Sequence, residues 1–245
     1  AEPALVLIHG WSCDSNYWSA QVNDLKNRYT VVTVDLAGHG ASGRNRSDWS
    51  MERFGEDVAA VVRELPNRQV VLVGHSMGGP VALQAAARIG DRVIGVIGVD
   101  TFKTIGLPAM PPQQLEKQLE PFRTDFIGHT RQWVAESFFA KDADPQLIRK
   151  VADDMALAPP DVAVASIQAL FKMDFDEVLS HIKVPIIAIN SDLGQPTDET
   201  RIRKRAPTFR AVVMKGTGHF LMMEKPQEFN AVLVQEIAAL TGDAS

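Results

Sequence analysis

Residues 70–79 read VVLVGHSMGG, and residues 80–89, PVALQAAARI, follow directly. The β-branched apolar run at 70–73 predicts a buried strand, and the second segment predicts a helix. A serine with a glycine two positions away on either side indicates a very sharp turn, because larger side chains there would collide with neighbouring backbone. Such a turn would hold the Ser76 hydroxyl at the C-terminal edge of a sheet. Ser76 is therefore a candidate nucleophile, and the alternative is a chance match to G-x-S-x-G.

The composition is that of an ordinary globular chain. Its 245 residues are 45% hydrophobic and 22% charged, with a formal net charge of −5. These values argue against disorder and against a nucleic-acid partner. No apolar run approaches the roughly 20 residues that span a bilayer, so no membrane partner is expected. The single cysteine, Cys13, cannot form an internal disulfide, so we expect a cytoplasmic protein. Export stays open, because the chain starts at Ala1 without a methionine.

Apolar runs recur along the chain and alternate with amphipathic helical segments. Besides residues 70–73, the predicted strands are residues 4–8, 31–34, 93–99, 184–189 and 210–214. Alternating strands and helices predict right-handed crossovers and a parallel sheet. We therefore predict an α/β fold with a mostly parallel, doubly wound sheet of about six strands. Ligands of such sheets bind at the C-terminal ends of the strands, where the polar clusters of this sequence fall.

The alternation stops between residues 103 and 182. This segment contains helix-like runs near 113–120, 130–139, 145–157 and 161–172, separated by prolines, and no convincing strand. It predicts an all-helical cap inserted into a core formed by residues 1–102 and 183–245. Most of its apolar side chains should pack against the core. Trp133 and Phe138 from the cap, with Phe220 from the core, are candidate substrate contacts.

Five marks in this order resemble the α/β-hydrolase family. They are His9-Gly10, Asp35-x-x-Gly38-x-Gly40-x-Ser42, Gly74-x-Ser76-x-Gly78, Asp192 and Gly218-His219. The resemblance covers nearly the whole chain and implies the family order of nucleophile, acid and histidine, here Ser76, Asp192 and His219. It also implies an acyl-enzyme on the serine and an oxyanion hole formed by the backbone N–H groups of Trp11 and Met77.

His219 is the candidate base among six histidines. It follows the last predicted strand in a Gly-Thr-Gly-His turn, where a flexible loop can bring the imidazole to the sheet edge. His75 adjoins the serine, but neighbouring side chains point apart, so it should pack or bond locally. His9 and His39 lie in glycine-rich loops that a hydrogen bond would fix.

The acid has three candidates. Asp192 lies just beyond a strand end, where it could orient His219 and stabilise its charge. Asp198 follows Thr197, a predicted N-cap, so the helix dipole alone would explain its carboxylate. Asp100 ends the strand after that of the nucleophile, a position that some members of the family use. We favour Asp192 and leave the other two open.

The predicted function is hydrolysis of carboxylic esters, lactones included, with small to medium acyl groups. The alternatives are a C–C bond (meta-cleavage-product) hydrolase or perhydrolase of the same fold, and a ligand receptor with a vestigial triad. We expect a small ester-like substrate and no cofactor or metal, since the sequence has no Walker loop, Rossmann glycine pattern or Cys/His cluster.

Only eight residues precede His9, whereas the family usually has two antiparallel strands there. Either the sheet is reduced or an N-terminal portion has been removed. The strand that begins at Ala4 would then need a cover for its edge, for which a dimer contact is one candidate. The oligomeric state is thus predicted as monomer or homodimer.

Overall fold

The computed structural model describes residues 1–242. The strands are β1 Ala4–Ile8, β2 Thr30–Val34, β3 Val70–His75, β4 Val93–Val99, β5 Ile186–Ser191 and β6 Arg210–Met214. The helices before β5 are α1 Ser19–Leu25, α2 Met51–Glu64, α3 Gly78–Ile89, α4 Pro112–Thr124, α5 Phe126–Ser137, α6 Pro145–Met155, α7 Pro160–Lys172 and α8 Phe175–Leu179. After β5 come α9 Glu199–Arg203, α10 Leu221–Glu224 and α11 Pro226–Thr241.

The six strands form one sheet in the order β2-β1-β3-β4-β5-β6, and every neighbouring pair is parallel. The predicted α/β sheet of about six strands is therefore confirmed. The expectation that the strand from Ala4 lies at an edge is wrong, because β1 pairs with both β2 and β3. Both β1 and β3 are buried along their whole length, as strands covered on two faces must be.

Helices flank the sheet and complete the core. Helices α2 and α3 pack together, and α3 contacts β3 and β4; α11 contacts β4 and β5, and α1 packs against α11. Ser50 caps α2, since its hydroxyl accepts from the Arg53 N–H at 3.4 Å. Within residues 1–242, no helix is both long and apolar enough to cross a membrane.

Helices α4–α8 all lie between β4 and β5, and residues 103–182 contain no strand. We call residues 103–182 the helical insert. Its hydrogen bonds to the core include two near the sheet edge. The Trp11 indole N–H donates to the Ala163 carbonyl at 2.7 Å, and the His219 N–H donates to the Phe138 carbonyl at 2.6 Å.

The turn from β3 to α3 has no space for side chains on either side of Ser76. A Cβ atom on Gly74 would collide with the Gly78 carbonyl oxygen, and one on Gly78 would collide with the carbonyl oxygens of Ile8 and His9. The close approach of the β1 end to this turn therefore requires both glycines.

Gly74→Ala should destabilise the protein by at least about 2 kcal/mol, because the new methyl group meets backbone that cannot move aside. Urea unfolding followed by circular dichroism measures this change. Gly43→Ala is the matched control, since a Cβ there meets nothing within 4 Å, and it should stay within about 0.5 kcal/mol of the wild type. Equal stability of the two variants would contradict the packing of this turn.

Candidate active site

Ser76 occupies the turn between β3 and α3 in a left-handed backbone conformation, with φ of +52°. This conformation costs a non-glycine residue about 1–2 kcal/mol. Two hydrogen bonds hold it: the Ser76 N–H donates to the Val99 carbonyl at 2.9 Å, and the Gly79 N–H donates to the Ser76 carbonyl at 3.0 Å. Ser76 lines two cavities at the C-terminal edge of the sheet. The strained turn predicted from residues 70–79 is thus present.

The carboxylate that contacts the His219 imidazole is that of Asp100. Its Oδ2 lies 2.6 Å from His219 Nδ1, and both side chains are largely buried. Because a carboxylate oxygen accepts, Nδ1 carries the proton, and the neutral ring has its lone pair on Nε2. His219 lines the same cavity as Ser76. The structure therefore brings together a hydroxyl, an imidazole and a carboxylate.

Asp100 is fixed on its other side as well. It follows β4 in a left-handed conformation, with φ of +45°, and its N–H donates to the Ile189 carbonyl at 2.9 Å. Its Oδ1 accepts from the Ser191 N–H at 3.0 Å and the Ser191 hydroxyl at 2.8 Å, and lies 2.8 Å from Lys103 Nζ. Burial by itself would raise the pKa of Asp100, but His219 and Lys103 hold that pKa well below its usual range.

The assignment of Asp192 as the partner of His219 is corrected by these contacts. The Asp192 side chain is exposed, and its Oδ1 accepts from the Gly216 N–H at 2.9 Å. Asp198 lies elsewhere too, where it caps α9 by accepting from the Arg201 N–H at 2.9 Å. The predicted N-cap, Thr197, instead accepts from the Asn190 side-chain amide at 2.8 Å. Of the three candidate acids, only Asp100 faces His219.

The loop that carries His219 is held by two neighbours. His75 Nε2 lies 2.8 Å from the His219 carbonyl oxygen, so this nitrogen donates, and the bond joins two residues that are far apart in the sequence. Burial and the nearby His219 lower the pKa of His75 to about 3, which keeps its ring neutral. Gly218 packs so closely against residues 138–140 of the helical insert that a Cβ would strike their backbone.

His9 and His39 also serve their loops. His9 Nε2 accepts from the Leu36 N–H at 3.0 Å, and His39 Nδ1 lies 3.0 Å from the Ala37 carbonyl. These bonds agree with the expected structural role of both histidines.

Met77 follows Ser76 directly in the chain, and Trp11 lines the same cavity as Ser76. Both are buried, Trp11 just after β1 and Met77 at the start of α3. Within residues 1–242, neither backbone N–H has a protein acceptor among the loop and side-chain hydrogen bonds. The Trp11 ring packs edge-on against Trp133, with their centroids 5.7 Å apart.

Two cavities meet at Ser76. The smaller has a volume of about 210 Å³ and is mostly aromatic; the predicted contacts Trp133, Phe138 and Phe220 all line it. The larger, of about 690 Å³, runs past Asp100 and Lys103 along residues 107–111 of the helical insert. Leu170 and Phe171 line both cavities. The insert thus supplies much of the wall opposite the serine.

Sequence reasoning missed Ser191, Lys103 and the larger cavity. The spacing Asp100-x-x-Lys103 was a readable signal, since it places a cation one turn after a strand-end carboxylate. Cys13 lines the smaller cavity, but burial raises the pKa of its thiol, which disfavours the reactive thiolate. Among residues 1–242, no group of three or more His, Cys, Asp or Glu side chains is arranged to hold a metal ion.

Comparison with known proteins agrees with the fold. The chain matches the Alpha/beta hydrolase family over residues 5–232. It is 31% identical to the pimeloyl-[acyl-carrier protein] methyl ester esterase of Methylococcus capsulatus over 76% of this chain and 74% of that protein. An esterase from Exiguobacterium antarcticum superposes with a TM-score of 0.85 at 22% identity, covering 97% and 92% of the two chains. The enol-lactonase from Burkholderia xenovorans superposes with a TM-score of 0.83 at 21% identity, covering 97% and 92%. The chain belongs to the alpha/beta hydrolase family.

Proposed function

We propose that the protein is a serine hydrolase of carboxylic esters, with Ser76 as nucleophile, His219 as base and Asp100 as acid. The observation that carries this proposal is the 2.6 Å contact between Asp100 and His219, beside the cavity that His219 shares with Ser76. A serine hydroxyl is a weak nucleophile at neutral pH and needs a base within reach. The buried carboxylate fixes the imidazole tautomer that can act as that base.

The reaction proceeds through an acyl-enzyme. His219 Nε2 takes the hydroxyl proton as Ser76 Oγ attacks the ester carbonyl, and then gives that proton to the leaving alcohol. A water molecule activated by the same nitrogen cleaves the acyl-enzyme and restores Ser76. Asp100 stays ionised throughout and stabilises the imidazolium, in keeping with the lowered pKa of its carboxyl.

The backbone N–H groups of Trp11 and Met77 form the proposed oxyanion hole. Both are adjacent to the serine turn and have no acceptor among the hydrogen bonds described for residues 1–242. Such preset donors favour the transition state because charge develops on the carbonyl oxygen only there. One donor of this kind contributes about 3 kcal/mol.

The unequal cavities favour an ester in which one of the two groups, acyl or alcohol, is small and the other is large. The smaller cavity, about 210 Å³, lies below the ~300–1,000 Å³ usual for a ligand pocket, whereas the larger, about 690 Å³, lies within that range. A methyl ester, the substrate type in the name of the Methylococcus relative, has such a small group as its alcohol part. Lactones stay within the proposal because their ring ester undergoes the same attack.

Ser76→Ala should lower kcat for p-nitrophenyl acetate by about 10⁶-fold, because the covalent step is lost. Release of p-nitrophenol followed by absorbance measures both the burst and the turnover. The absence of burst and turnover in the wild type across a series of acyl lengths would reject the ester hydrolase and leave the receptor alternative. Full activity of the variant would reject a serine mechanism.

Asp100→Asn should lower kcat by about 10⁴-fold, because the amide favours the wrong imidazole tautomer. Asp192→Asn is the matched control, and its kcat should stay close to the wild-type value, since its carboxylate contacts the Gly216 N–H and not His219. Steady-state kinetics on one ester compares the two. A large loss in Asp192→Asn with little change in Asp100→Asn would overturn the assignment.

Trp133→Ala should widen the smaller cavity and weaken the discrimination against large groups on one side of the ester, either acyl or alcohol. Two substrate series test this, one varying the acyl group at fixed alcohol and the other varying the alcohol at fixed acyl group. The ratio of kcat/KM for bulky over small groups should rise about tenfold in one series. Leu107→Ala, which lines only the larger cavity, is the control and should leave that ratio unchanged. Equal effects of both variants would contradict the division of the site.

A further inference from the structure

Lys103 lies against the candidate acid in a largely buried position. Its side chain is 13% exposed, and Nζ lies 2.8 Å from Asp100 Oδ1. The same nitrogen reaches the Leu193 carbonyl at 3.1 Å and the Ser191 carbonyl and hydroxyl at 3.4 Å. These acceptors engage all three ammonium donors. Lys103 therefore has no free donor for a substrate carboxylate, although it lines the larger cavity.

The Asp100 carboxylate thus lies between Lys103 and His219 and contacts them through different oxygens. Its Oδ1 faces Lys103 and Ser191, and its Oδ2 faces His219. The negative charge of Asp100 favours a proton on the imidazole, whereas the positive charge of Lys103 partly cancels that field. Both effects are strong because burial leaves little water to screen them.

We propose that Lys103 is a positioning residue that acts through Asp100 to set the pH range in which His219 is unprotonated and able to act as a base. This inference rests on the proposed function, since it concerns the same His219. The lysine also links the chain after β4 to the chain after β5, so it holds the carboxylate in the orientation that aims Oδ2 at the imidazole.

The other titratable groups near this pair do not replace that charge. The His75 ring lies 4.7 Å from the His219 ring, centroid to centroid, and is neutral because burial lowers its pKa to about 3. Glu224 binds the Gly218 N–H through both oxygens at 3.0 Å, and burial raises its pKa. The insert faces His219 with the uncharged Phe138 ring at 4.6 Å. Lys103 is thus the cation that contacts the carboxylate directly.

The test compares Lys103→Met, which keeps the length of the side chain without its charge, with Lys103→Arg, which keeps the charge. In Lys103→Met, the acid limb of the kcat/KM profile for p-nitrophenyl acetate should move up by about one pH unit, because the field of Asp100 is no longer opposed. In Lys103→Arg the limb should stay at its wild-type position. An unchanged limb in a folded Lys103→Met, even with a lower plateau, would leave only a structural role and overturn the proposal.

A measurement without turnover separates this proposal from the ester hydrolysis. In Ser76→Ala protein labelled with ¹⁵N-histidine, the His219 ring resonances are assigned with His219→Gln and titrated with and without Lys103→Met. The titration midpoint should rise when the lysine is removed, whether or not the protein hydrolyses esters. Lys103→Gln is used in the same way if the methionine variant does not fold. An unmoved midpoint would reject the role of Lys103 alone, whereas absent turnover with a moved midpoint would reject only the reaction.

Discussion

The close approach of three backbone segments at Ser76 is the constraint on which the site depends. The end of β1, the end of β3 and the first turn of α3 come together so tightly that Gly74 and Gly78 cannot carry a side chain. This packing holds Ser76 in a left-handed conformation that an isolated chain would rarely adopt. The strain is sustained because the central strands around it are fully buried and paired on both sides.

The three groups of the candidate triad come from three different strand ends. Ser76 follows β3, Asp100 follows the neighbouring β4, and His219 lies on the loop after β6 at the far edge of the sheet. Adjacent parallel strands end side by side, so the first two need only short turns to meet. His219 follows an edge strand that is two strands away from β4. Hydrogen bonds to His75 and to Phe138 of the helical insert hold its loop in place.

Much of this arrangement could be predicted from the sequence, because strand periodicity and glycine spacing are local signals. They gave the six-stranded sheet, the all-helical segment at 103–182, the Ser76 turn and the structural roles of three histidines. The acid could not be settled in this way, since Asp100 and Asp192 both follow buried strands. What separates them is the left-handed turn at Asp100 and the Ser191 donors, which arise only when β4 and β5 pair. The interior position of β1 in the sheet could not be predicted from local sequence either, because strand order depends on long-range pairing.

The hydrogen bond from the His219 N–H to the Phe138 carbonyl has an evolutionary consequence. The insert contributes both the walls of the cavities and a support for the imidazole, so it is not an interchangeable module. Replacing it whole with the insert of a relative would change the walls of both cavities and displace His219 in one step. Divergence within this fold is therefore easiest through cavity-lining side chains such as Trp133 and Leu107. The backbone near Phe138 has to keep its path, because it holds the His219 loop.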